Sequence, residues 1–295
     1  MTTSTSLQAG HSRSWRFVQF PLTRIAIALV FMIGTILLLQ AVAALTHFKP
    51  HSGPGAGVAA GLTIVALMAA YAFYVRLIER RHVTELAGAR AASGFGVGFL
   101  LGGLLFGLIM LILWLAGVAT IGKGVGWAAV GMQLVSALEL GVLQAIVVCG
   151  ILFRIGEEGL GTWIALALTV VLFGAAHAAS PGANLISEST IGLEAGTLLA
   201  AVYVYTRGLW APMGLLTAWS FAEGGVFGVS VPGHTESGLL VSRFHGPKIL
   251  TGGAAGPEAT IVAVLACLTV AAWLFHRARP RGNIIRPSWR RASPR

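Results

Sequence analysis

Long uninterrupted apolar blocks, separated by short polar stretches, set the pattern of this chain. Eight such blocks cover residues 22–47, 56–76, 91–118, 125–152, 161–179, 190–206, 208–230 and 257–276. A helix needs about 20 mostly apolar residues to cross a bilayer, and the blocks fall near that length. The pattern predicts an all-α fold, a polytopic membrane helix bundle of about eight transmembrane helices. Residues 1–21 then form an N-terminal tail, 22–276 a single membrane domain and 277–295 a basic, flexible C-terminal tail. Ala41-Val42-Ala43 mimics a signal-peptidase site, but the block before it exceeds the roughly 7–15 apolar residues of a signal peptide. It reads as a retained first span.

Composition supports this reading. Charged residues make up 10% of the chain and apolar ones 56%, against about 25% charged in a soluble domain. The net charge of +10 raises the question of nucleic acid, which its distribution answers. With eight spans, the termini and even-numbered loops hold 16 of the 20 Lys and Arg, leaving Lys49, Lys123, Arg243 and Lys248 on the other side. Basic residues gather in cytoplasmic loops, so both termini are expected in the cytoplasm, with the arginine tail on anionic lipid headgroups and no nucleic-acid partner. Cys149 and Cys267 both fall in predicted spans and read as small buried apolar residues rather than a disulfide. Gly94, Gly98 and Gly102 recur every fourth residue, a spacing that lets helices approach closely. Residues 252–256 read as a turn into the last span.

Ionisable groups at bilayer depth are costly and often functional. The expected ones are Glu139, His177, Glu194 and Glu223, with the amides Gln40, Gln133 and Gln144. Glu157-Glu158 lies between two blocks and reads as a solvated turn.

Several fragments stand in a telling order: Gly150-Ile151-Leu152-Phe153-Arg154, Gly161-Thr162-Trp163, Phe173-Gly174-Ala175-Ala176-His177, Leu209-Trp210-Ala211-Pro212, Trp219-Ser220-Phe221 and Gly256-Pro257-Glu258-Ala259. Together they resemble the CPBP family, which comprises CAAX-prenyl proteases of type 2 and bacteriocin-processing (Abi) proteins. The resemblance covers about residues 125–275 and implies a metal-dependent intramembrane endopeptidase. Its motifs are Glu-Glu-x-x-x-Arg, Phe-x-x-x-His and His-x-x-x-Asn or Asp. Zinc or another divalent metal held by two imidazoles would activate a water that the glutamate deprotonates. The asparagine would stabilise the oxyanion.

Carried over residue by residue, the family-aligned catalytic positions are Gln144, His177 and Ser220. Only Phe173 and His177 keep the motif. Gln144 and Ala145 stand for the two glutamates, Cys149 for the arginine, Leu216 for the second histidine and Ser220 for the asparagine. Gln144 keeps a glutamate's shape but takes no proton at neutral pH. A metal would have to rest on His177 with Glu223, Glu194 or Glu139 as co-ligands. The alternatives are a peptide-processing endopeptidase acting on a membrane-embedded or lipidated peptide, an inactive pseudoprotease serving as scaffold or immunity protein, and a small-molecule transporter. A multi-pass protein of a bacterial inner membrane is expected from composition. On a simple hairpin turning near residue 157, Gln144 and His177 would sit about 10 Å apart in depth.

Overall fold

The computed structural model describes residues 18–46, 55–124, 126–178, 184–229 and 238–291. Residues 1–17 of the expected N-terminal tail, the end of the seventh apolar block at 230 and residues 231–237 lie outside the described residues. Among the described residues, ten α-helices of at least seven residues carry the fold: α1 Pro21–Leu45, α2 Ala56–Tyr74, α3 Ala91–Leu115, α4 Trp127–Ala145, α5 Arg154–Leu160, α6 Thr162–His177, α7 Leu185–Ile191, α8 Thr197–Thr206, α9 Trp210–Ser220 and α10 Ile261–Ala278. Wide π turns extend α2 through Val75–Glu79 and α9 through Phe221–Val226. Others join α4 to α5 through Ile146–Phe153 and α7 to α8 through Gly192–Gly196.

Helices occupy all eight predicted intervals, and the chain is an all-α bundle. Among the described residues, six helical stretches are long and apolar enough to cross a membrane: 21–45, 56–79, 88–115, 130–160, 185–206 and 253–281. Of the other expected spans, α6 is apolar but shorter, and α9 with its π turn is packed inside the bundle. A small antiparallel ribbon, β1 Ala119–Lys123 with β2 Leu240–Phe244, lies within and beside the segments read from sequence as span end and loop.

The bundle is layered by burial. On α1 only Arg24, Ala28 and Met32 are buried, one stripe at helical spacing, and its other apolar side chains face outward. On α9 every residue from Ala211 to Trp219 is buried. The glycine stripe of α3 makes this possible. A Cβ on Gly98 would sit 2.0 Å from the Ala211 carbonyl oxygen, and one on Gly102 2.3 Å from that of Leu215. The spacing therefore serves backbone contact inside the bundle, as expected.

One end of the bundle is held by buried ions. Arg24 bonds Glu79 and Glu158 at 2.6 Å, Arg154 bonds the same two carboxylates at 2.7 Å, and Arg81 bonds Glu79 at 2.7 Å and Glu85 at 2.6 Å. Glu157 is buried and accepts from the Thr162 hydroxyl and from Arg207. The solvated turn expected at Glu157-Glu158 is thus corrected: Glu157 is walled in and Glu158 closes the network. The first turn of α1 and the chain beyond α10 both reach this end.

The flexible C-terminal tail is corrected too. Residues 283–291 lie across the helix ends as a strap. Asn283 donates its side-chain amide to the Val204 carbonyl at 2.8 Å. Thr162 N–H donates to the Ile285 carbonyl at 3.0 Å, and Ile285 N–H donates to the Thr162 hydroxyl at 2.8 Å. Gly161 makes the seat: its φ is +78°, and an added Cβ would meet the Pro287 nitrogen at 2.7 Å. A Cβ-bearing residue disfavours that backbone conformation.

Glu85 sits in the loop between α2 and α3. Burial would raise its pKa, but hydrogen bonds from Arg81 and Tyr71 and the Arg81 charge outweigh it and hold the carboxyl at about 2. A carboxyl more acidic folded than unfolded stabilises the fold above its ordinary value of 4.5. That contribution fades as pH falls toward 2. Thermal unfolding in detergent is expected to show a melting temperature that drops between pH 4.5 and 2, and a smaller drop in Glu85→Gln. An unchanged drop in the variant would exclude this linkage.

Candidate functional site

Three of the four π turns fall where polar residues enter the bundle core. One begins two residues after Gln144, one carries Glu194, and one begins directly after Ser220 and carries Glu223. A widened turn re-aims the side chains around it, and such bulges are frequent at functional sites. The fourth carries Glu79 of the ion network.

Close contacts fix the depth of each candidate. Gly141 lies against Thr217, and Gly225 against Gln133, so α4 and α9 run antiparallel. That pairing puts Gln144 within a turn of Leu216. The helix through α4 and α5 runs on to Leu160 and turns at Gly161, not near 157. Gln144 and His177 then lie almost the same number of residues from the turn, and the depth mismatch expected from sequence disappears. Glycines also bring α6 against α7 and the π turn that follows it, with Gly192 against the Val170 carbonyl and Gly174 against that of Glu188.

Four of the carboxyl and imidazole groups gather at the end of the bundle opposite the ion network. Glu258 is the hub. Its carboxylate accepts from the Trp219 indole N–H, shares a hydrogen bond with Glu223 and lies within electrostatic range of His177. Glu194, fully buried, is within range of Glu258 and accepts from the Cys267 thiol at 3.1 Å. His177 donates Nδ1–H to the Phe173 carbonyl at 2.8 Å, with the Phe173 ring 4.8 Å away. The motif pair Phe173-His177 is therefore a local unit within one helix. Gln144 and Ser220 are half-buried, as is Glu139 on α4.

Glu258 was named in the sequence only as part of a resembling fragment. It stands at the very start of the last apolar block, and only the fold of 252–260 carries it inward. Gly252, at φ +72°, packs its Cα against the Gly256 carbonyl so tightly that a Cβ would lie 1.6 Å from that oxygen. Thr260 then caps α10 by accepting from Ala263 N–H at 3.1 Å. The two cysteines are free and buried, as expected.

A catalytic zinc takes about three protein ligands. Leu216 is aliphatic and buried, Gln144 is a neutral amide, and Glu223 and Glu258 are bonded to each other. Among the described residues, no three His, Cys, Asp or Glu side chains are grouped so as to hold a metal ion. The family-aligned residues do not fit the metal centre that the resemblance implies.

No curated protein and no solved structure matches the chain. Residues 126–222, about a third of its length, match the family described as type II CAAX prenyl endopeptidase, Rce1-like, so helices α4 to α9 bear out the resemblance to a CAAX-protease-type membrane protein.

Proposed function

We propose that this CAAX-protease-type membrane protein acts as a scaffold that binds a membrane-embedded or lipidated partner, without metallopeptidase chemistry. One observation supports the reading: Leu216, buried and aliphatic, stands where the family-aligned second imidazole belongs, with Gln144, which takes no proton, within a turn of it along the packed helices. The basic end of the bundle is assigned to the cytoplasm by the distribution of Lys and Arg, in a cell membrane.

A second reading is favoured by the gathering of Glu223 and Glu258 near His177. The Nδ1–H bond to Phe173 leaves Nε2 free to accept, an arrangement common among metal-ligating histidines. On this reading the protein is an endopeptidase with an altered ligand set.

Elemental analysis separates the two. Detergent-purified protein, incubated with excess zinc and desalted, is expected to hold far less than one zinc per chain, and His177→Ala is expected to match wild type. One zinc per chain in wild type, lost in His177→Ala and in Glu258→Gln, would replace the scaffold with the altered endopeptidase.

A further inference from the structure

The basic end carries more arginine than its carboxylates neutralise. The carboxylates of Glu79, Glu85, Glu157 and Glu158 are taken by Arg24, Arg81, Arg154 and Arg207. Arg277, Arg279, Arg281, Arg286, Arg290 and Arg291 are exposed, and among the described residues none of them forms an ion pair. The docked strap holds three of these arginines, Arg286, Arg290 and Arg291, at the level of the helix ends.

Two of the six are built into an aromatic ladder. Trp273 and Arg277, four residues apart at the end of α10, share a face, and Arg281 follows in the 3-10 turn Arg279–Arg281. The Arg277 guanidinium lies 5.9 Å from the Trp273 ring centre. That of Arg281 lies 4.0 Å from the Tyr205 ring centre and donates to the Tyr205 hydroxyl at 2.9 Å. The two rings are 6.4 Å apart, and Trp273 is 56% exposed. A guanidinium resting on a ring face keeps N–H groups on its rim, and these match phosphate oxygens bidentately. Indole and phenol rings settle at the headgroup level of a bilayer. Rings and arginines alternating at the end of a membrane span fit a lipid better than a soluble polyanion.

We propose that Trp273, Arg277, Tyr205 and Arg281 form a binding site for the phosphate of an anionic phospholipid headgroup. The rings lie in the membrane boundary and the two guanidinium rims face the phosphate. Removing either charge lowers affinity about fivefold, from the roughly 1 kcal/mol that a basic residue contributes near an anionic surface. This inference is independent of whether the bundle cleaves peptides.

Full-length protein in a neutral detergent, titrated with short-chain phosphatidylglycerol, tests it by native mass spectrometry and thermal shift. Wild type is expected to retain the lipid and gain melting temperature, while phosphatidylcholine and inorganic phosphate give neither. Arg277→Gln, which keeps the Arg281–Tyr205 bond and so the strap, is expected to weaken binding about fivefold. Arg243→Gln, at the opposite end, is expected to leave it unchanged. Equal retention of phosphatidylcholine, an equal shift from inorganic phosphate, or undiminished binding in Arg277→Gln would each overturn the site.

Discussion

Replacing Arg154 by methionine is expected to destabilise the bundle by about 3–5 kcal/mol, the usual consequence of removing one partner from a buried ion network. Arg24, Arg81 and Arg154 face Glu79, Glu85 and Glu158, three charges against three. Arg154 is the most enclosed of the three arginines, with 8% of its side chain exposed. It also donates Nε–H to the Gly150 carbonyl at 2.9 Å, inside the π turn. Without it, Glu79 and Glu158 keep only Arg24 and Arg81 between them, and the network carries an uncompensated negative charge. The double variant Arg154→Met with Glu79→Gln restores the balance and is expected to be less destabilised than the sum of the single variants. Equilibrium unfolding in mixed micelles, followed by circular dichroism, measures both. A loss below about 1 kcal/mol for Arg154→Met, typical of a surface pair, would show that the network is not buried in solution.

The second large effect is steric. Gly98→Ala puts a methyl 2.0 Å from the Ala211 carbonyl oxygen. The clash is with backbone, so no side chain can move aside, and α3 and α9 must separate. A destabilisation of about 1–3 kcal/mol or more is expected. Gly214→Ala on the facing helix meets the Phe95 carbonyl oxygen at 2.1 Å and is expected to act alike. Gly107, on the same α3 helix, has nothing within 4 Å of an added Cβ. Gly107→Ala is therefore expected to be neutral or to stabilise by up to about 1 kcal/mol through helix propensity. Equal effects of the alanines at 98 and 107 would mean that the glycines matter for flexibility rather than for close approach. Because α9 carries Leu216, Trp219 and Ser220, displacing it is also expected to break the Trp219–Glu258 bond, seen as a change in tryptophan fluorescence.

What the sequence by itself determined was coarse and secure. Apolar blocks near bilayer length specify helices, because within a membrane the backbone must satisfy its own hydrogen bonds. The glycine spacing of α3, the buried cysteines and the resemblance over α4 to α9 were legible for similar reasons: each depends on residue type and local spacing.

Only the tertiary structure decided which charges were buried. Glu157, Glu158 and Arg154 look like ordinary loop residues in sequence. Their partners Arg24, Glu79 and Arg207 lie far away along the chain, and no local pattern pairs them. The strap from 283 to 291 has the composition of a loose tail, and it docks because Gly161, Thr162 and the Val204 carbonyl offer it a seat. Glu258 joined the candidate site through the fold of residues 252–260, and Gln144 reached the depth of His177 because α5 carries the helix on to Gly161. These are long-range contacts between residues of unremarkable type, and side-chain chemistry at such positions is set by the neighbours that packing supplies.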